Sequence, residues 1–269
     1  MRQGETRAAD GTAIKWRLWP DGESCGAHRV ACVHSLALHG GIWDGVARAL
    51  SGKASLLAPD CRGHGASGRA PGPYDTAVMA DDLAAAMDAM GWDDAVIAGC
   101  SMGGCVAQHF AARHPGRTTG LVLMDTTAWY GADAPTAWRQ RAATAERDGM
   151  AALRPFQAAR WFSDAFNRDH ADVLDHWLDV FEANDVACYA ATCAMLGAAD
   201  LRALLPGITA PTHVLVGEHD HATPPAMARQ IAEAIPGAAF TVLAGARHIT
   251  AVECPDAIAA AIAGLLPRG

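Results

Sequence analysis

The sequence predicts an α/β fold: a mainly parallel, twisted sheet with helices on both faces and a helical layer inserted between two strands. Three observations predict it. At 269 residues, with 51% hydrophobic and 19% charged residues, the chain can bury a large core and sits at the upper end of a single domain. Short β-branched runs alternate with Ala-rich helical stretches, the pattern of parallel strands joined by helical crossovers. That rhythm breaks once, from about Trp129 to Pro206, where strand runs vanish and several amphipathic helical patterns follow one another.

Strands are expected at Ala13 to Trp19, Arg29 to Val33, Ala54 to Ala58, Ala95 to Ala98, Gly120 to Met124, Thr212 to Val216 and Ala239 to Leu243. Between the early ones lie helical patterns such as Val78 to Met90 and Met102 to His114, the second closed by Pro115-Gly116. The strand-free stretch carries Trp129, Trp138, Trp161 and Trp177, half of the tryptophans, and returns to the sheet through Ile208-Thr209-Ala210-Pro211. The expected organisation is a core of residues 1–128 and 207–269 with a lid of residues 129–206. The plainer alternative is a helical layer whose aromatics are ordinary core.

A formal charge of -8, only two lysines and no Lys/Arg cluster argue against nucleic acid or an acidic membrane as partner. Met1-Arg2-Gln3-Gly4-Glu5 lacks the apolar run of a signal peptide, and no run reaches bilayer-spanning length, so a cytoplasmic location is expected. The eight cysteines (25, 32, 61, 100, 105, 188, 193 and 254) include no Cys-x-x-Cys and are read as reduced, mostly buried small residues.

The most informative stretch is Ala95-Val96-Ile97-Ala98-Gly99-Cys100-Ser101-Met102-Gly103-Gly104. An apolar strand runs into Gly-x-Ser-x-Gly and a helix follows, which places Ser101 on a tight turn at the carboxyl end of the strand. Gly99 and Gly103 are required there because a Cβ at either would collide across the turn. The hydroxyl then sits at a helix N-terminus, whose dipole favours negative charge. A serine needs a base, and the base an orienting acid. His248 follows the last strand run, and Asp220 ends Val214-Leu215-Val216-Gly217-Glu218-His219-Asp220 after the preceding one. Ser101, Asp220 and His248 therefore fall on strand ends at one sheet edge. Asp125, ending Leu121 to Met124, is a rival for the acid role, but the Gly-x-x-Asp turn aims Asp220 inward. His219 and His221 flank Asp220 and open a metal reading, yet no ligand cluster at zinc-like spacing lies nearby, so neither metal nor cofactor is expected.

With these residues in place the chain is similar to the α/β-hydrolase superfamily over nearly its whole length. Asp60-Cys61-Arg62-Gly63-His64-Gly65-Ala66-Ser67 also resembles that family's Asp-x-Arg-Gly-x-Gly-x-Ser loop after its fourth strand, where Arg62 and Gly63 would pin the loop. The resemblance implies Ser101 as nucleophile, Asp220 as acid, His248 as general base and a helical cap from roughly residue 130 to 205. It also implies oxyanion donors from the backbone N–H of Met102 and of a residue just after the third strand, here Leu36. His39-Gly40-Gly41 looks like the His-Gly-Gly of lipases, but is expected to lead into a helix starting near Trp43.

A narrower resemblance links His34-Ser35-Leu36 with Trp43-Asp44 to the Asn-Ser-Leu…Trp-Asp loop of 3-oxoadipate enol-lactone hydrolases. Met150-Ala151-Ala152, Arg160-Trp161-Phe162, Tyr189-Ala190-Ala191, Ala199-Asp200-Leu201-Arg202 and Gly245-Ala246-Arg247-His248 are similar to the same group. His34 stands where that group has Asn, Cys100 precedes the nucleophile, and Arg247 replaces a small residue. An enol-lactone of this kind carries a carboxylate, so Arg139, Arg141, Arg154, Arg160 or Arg247 is a candidate to pair with it, against the alternative of solvated helix-face arginines. Pocket candidates are His34, Trp129, Trp138, Arg160 and Trp161. The expected activity is cofactor-independent serine hydrolysis of a small ester or lactone, in a chain of unspecified oligomeric state. A carbon-carbon bond hydrolase, a cofactor-free peroxidase and a ligand-binding member without turnover are the alternatives on the same scaffold.

Overall fold

The computed structural model describes residues 1–20 and 28–267. One sheet contains β1 (Arg2–Arg7), β2 (Ala13–Trp19), β3 (His28–Val33), β4 (Ala54–Pro59), β5 (Ala95–Cys100), β6 (Thr118–Met124), β7 (Thr212–Gly217) and β8 (Ala239–Leu243). The strand order is β1-β2-β4-β3-β5-β6-β7-β8. From β4 to β8 every pairing is parallel, while β2 lies antiparallel to both β1 and β4.

The central strands β4 and β5 are buried at every residue, because helices cover both of their faces. Strand β2 alternates instead, turning Ile14, Trp16 and Leu18 to the core. Strand β1 has no counterpart among the predicted strands. It lies at the edge, paired on one side only, and its mostly exposed polar residues give no apolar alternation to read. Helix Thr76–Ala89 packs beside Met102–Arg113 on one face, and Asp44–Ala49 beside Pro255–Leu265 on the other. The first begins two residues before its apolar pattern because the Asp75 carboxylate accepts the Ala77 N–H at 2.6 Å and caps it.

Between β6 and β7 come helices Ala134–Asp148, Arg154–Trp161, Asp164–Asp169, Ala171–Glu182 and Val186–Ala198. The first packs along the last, and a Trp129–Asp200 bridge closes the base of the layer. Trp177 is core within it, its ring centroid 5.1 Å from that of His39. Among the described residues no helix is long and apolar enough to cross a membrane, and the seven described cysteines form no disulfide; Cys25 lies outside the described residues.

Candidate active site

The turn after β5 holds Ser101 at φ 55° and ψ -117°, a left-handed backbone that residues with a Cβ rarely adopt. It is fixed from both sides. The Ser101 N–H donates to the Met124 carbonyl at 2.9 Å, and the Thr126 hydroxyl donates to the Ser101 carbonyl at 2.7 Å. A Cβ on Gly99 would strike the Gly103 carbonyl, and one on Gly103 would strike the carbonyl of Val33, as the elbow requires. Ser101 occupies the N-cap of helix Met102–Arg113, yet its hydroxyl caps nothing and lies 2.9 Å from His248 Nε2.

His248 Nδ1 lies 2.8 Å from Asp220 Oδ2. The tautomer that satisfies both contacts carries its proton on Nδ1, donates to the carboxylate, and leaves Nε2 to accept from the serine. Asp220 Oδ1 also accepts the Ala222 and Thr223 N–H groups at 2.7 and 3.0 Å, and Oδ2 the Thr223 hydroxyl at 2.8 Å. Burial pushes this carboxyl up, but the His248 ring and the Thr223 donors outweigh it and hold the group below the ordinary carboxylate range. The sequence rival Asp125 points elsewhere, taking the Gly217 N–H and both donors of Thr250. His219 is exposed beside Glu218, and among the described residues no group of three His, Cys, Asp or Glu is placed to hold a metal.

The loop after β3 faces the same point. Among the described residues the backbone N–H groups of Leu36 and Met102 donate to no protein acceptor, whereas the rival donors are taken. Gly40 N–H goes to Asp60 Oδ1 at 2.9 Å and Gly41 N–H to His39 Nδ1 at 3.0 Å. The segment Gly40–Trp43 is a single 3-10 turn leading into helix Asp44–Ala49. His34 does not line the pocket, contrary to expectation. It is fully buried, with Nδ1 donating to the Ser35 carbonyl at 2.7 Å and Nε2 accepting the Cys61 N–H at 2.8 Å, so it ties the β3 loop to the β4 loop. Burial, aided by His64 nearby, pushes its pKa down to about 3. In the β4 loop Arg62 makes a two-pronged pair with Asp82 at 2.7 Å and reaches Asp10 at 2.8 Å, which pins the loop.

A cavity of about 200 Å³ opens over Ser101 and His248, small beside the roughly 300–1,000 Å³ of pockets for drug-sized ligands. Trp138, Arg160 and Trp161 are among its lining residues. Trp129 does not; its ring lies under the Arg202 guanidinium at 3.8 Å, outside the cavity lining. Arg141 also lines it, from among the candidate arginines, and so do Tyr130, Gln157 and Thr223, which sequence reasoning missed. One signal was present: Ala134, Ala137, Trp138 and Arg141 follow the spacing of a single helix face, and all four line the cavity.

The arginines divide sharply. Arg154 is paired with Asp175, Asp179 and Glu182, Arg247 with Asp164, and Arg139 is exposed away from the cavity. Arg141 and Arg160 have no carboxylate partner among the described residues. Arg141 donates to the Tyr189 hydroxyl at 2.6 Å and lies over Trp138 and Phe156, and Arg160 donates to the His221 carbonyl at 2.9 Å. Burial and the positive charge of Arg141 lower the pKa of Arg160. A hydroxyl poised on an imidazole, two free N–H donors and two unneutralised cations are equipped to attack a carbonyl in an anionic molecule.

Over residues 29–255 the chain matches the family described as alpha/beta hydrolase fold. A 3-oxoadipate enol-lactonase 2 of Acinetobacter baylyi is 29% identical over 87% of each chain. A pimeloyl-[acyl-carrier protein] methyl ester esterase of Chromobacterium violaceum is 30% identical over 81% of this chain and 86% of that one. The crystal structure of the enol-lactonase from Burkholderia xenovorans LB400 superposes with a TM-score of 0.91 and 34% identity, covering 97% of this chain and 99% of that one. Strand order, the strained serine turn and these relationships agree: the chain belongs to the α/β-hydrolase fold family.

Proposed function

We propose that the chain is a cofactor-independent serine hydrolase that cleaves a small ester or lactone bearing a free carboxylate. The observation that carries this reading is the unbroken relay from Ser101 Oγ to His248 (2.9 Å) to Asp220 (2.8 Å) beneath a cavity lined by two guanidinium groups that have no carboxylate partner among the described residues. His248 Nε2 takes the serine proton as Oγ attacks the acyl carbon, and the Leu36 and Met102 N–H groups receive the oxyanion. The imidazolium then protonates the leaving oxygen. In a lactone that oxygen stays on the acyl group; in an ester it departs as an alcohol. Water, deprotonated by the same imidazole, attacks the acyl-enzyme and the serine leaves with its proton restored.

An enol-lactone of 3-oxoadipate has the required chemistry, an activated acyl oxygen and a free carboxylate, and relatives named for that reaction support it. Residues 129–206 serve as the lid in this reading, and residues 1–128 and 207–269 as the catalytic core. The same proposal puts the protein in the cytoplasm, in keeping with eight cysteines spread without pairing motifs. The test is stoichiometric labelling by a fluorophosphonate together with proton-release assays of the lactone. Ser101→Ala abolishes both; a Ser101→Ala protein that turns over like the wild type refutes the proposal.

A further inference from the structure

Behind the relay lies a second acidic side chain that the proposed reaction does not use. Asp125 directly follows β6 with φ 51° and is fully buried. Its Oδ1 accepts the Gly217 N–H at 3.2 Å. Its Oδ2 accepts the Thr250 N–H at 2.9 Å and the Thr250 hydroxyl at 2.7 Å, with the Cys100 thiol at 3.9 Å. Each partner stands beside a member of the relay. Cys100 immediately precedes Ser101, Gly217 comes three residues before Asp220, and Thr250 two residues after His248.

Packing alone gives no reason for a carboxyl there. Burial and the nearby charge of Asp220 push it well above the ordinary carboxylate range, a cost that an apolar residue would not incur. What an apolar residue lacks is two oxygens able to gather partners from three separate segments, the ends of β5 and β7 and the start of the short helix Thr250–Glu253. An amide would offer one oxygen and turn its NH2 against the backbone N–H of either Gly217 or Thr250, so one of these backbone contacts would be lost.

Resting on the serine-hydrolase reading above, we propose that Asp125 is a positioning residue: its one carboxyl fixes the serine turn, the acid loop and the base loop relative to one another. It touches neither Ser101 nor His248, so its effect is on the alignment of the reacting groups and not on substrate binding. Misplacement of such groups by an ångström lowers turnover on the order of 100-fold.

The experiment compares wild type, Asp125→Asn, Thr250→Val and Ser101→Ala with p-nitrophenyl butyrate, following kcat and KM separately, with thermal melting of each protein. Asp125→Asn is expected to melt cooperatively and to lose about 10- to 100-fold in kcat with KM within roughly threefold. Thr250→Val, which removes only the hydroxyl donor, should show the same pattern at about 3- to 10-fold. A folded Asp125→Asn protein with kcat within twofold of wild type, or one whose loss lies wholly in KM, overturns the proposal. If Asp125→Asn does not fold, Thr250→Val decides, and an unchanged kcat there overturns it equally. Wild-type turnover that persists in Ser101→Ala marks instead a failure of the hydrolase reading, and the positioning role falls with it.

Discussion

If the substrate bears a free carboxylate as proposed, replacing Arg160 or Arg141 by Met removes the preference for the anionic form. Both guanidinium groups line the cavity above Ser101, and neither faces a protein carboxylate among the described residues. A substrate carboxylate about 4 Å from one of them gains roughly 4 kcal/mol of gross Coulomb energy at an effective dielectric of 20. Stripping water from both ions returns much of that, and a charge-assisted hydrogen bond retains about 1.5–3 kcal/mol net. With 1.4 kcal/mol per factor of ten, each substitution should lower kcat/KM for the free-acid lactone by roughly 10- to 150-fold. The methyl ester of the same lactone has nothing to pair, so its kcat/KM should stay within about threefold. Proton-release assays on both substrates, with Ser101→Ala as blank, measure the ratio directly. Equal losses on acid and ester would refute the reasoning, and so would a wild-type enzyme that prefers the ester.

Two further outcomes follow from the scaffold. Gly103→Ala drives a methyl group into the Val33 carbonyl, a backbone obstacle that cannot swing aside. Scanning calorimetry should show a loss of about 3 kcal/mol, or roughly 6–12 °C in Tm, and a shift below 2 °C would contradict the packing argument. His34 is held neutral by burial, with its pKa pushed down to about 3. The unfolded chain takes up that proton near pH 6.5 and the folded chain does not, so this stability is fully present above pH 6.5 and drains away as pH falls toward 3. Urea unfolding at pH 7, 6 and 5 should record a loss of about 0.7 kcal/mol from pH 7 to 6 and about 1.2 kcal/mol from pH 6 to 5 from this residue, a dependence that His34→Gln removes.

The parts of the molecule that were legible in the sequence are those where local chemistry and global position coincide. Five strands, β3 to β7, announce themselves because buried parallel strands must be apolar, β2 does so by its alternation, and Ser101, Asp220 and His248 are legible because each follows a strand run. The edge strand β1 buries no face and leaves no pattern. Sequence reasoning named His34 as a pocket residue, but its ring has two buried backbone partners to satisfy and turns away to them. Trp129 and Arg141 show the limit from the other side. Which arginine stacks on which ring, and which is left without a carboxylate, depends on how five helices lie on one another, and spacing along the chain does not encode it.

The helical layer is not merely laid over the sheet. The Trp161 carbonyl accepts the N–H groups of both His248 and Ile249, at 3.0 and 3.1 Å, and Arg247 donates to the Phe162 carbonyl at 2.9 Å. One arm of the layer therefore forms part of the mounting of the imidazole itself. For protein engineering this means that the layer is not an interchangeable module. A graft from a relative that brings new pocket residues but shifts position 161 relative to the β8 loop would change substrate preference and detune the base in one stroke. Chimaeras that keep Arg154–Phe162 native and exchange only the helices carrying Trp138 and Tyr189 separate the two effects.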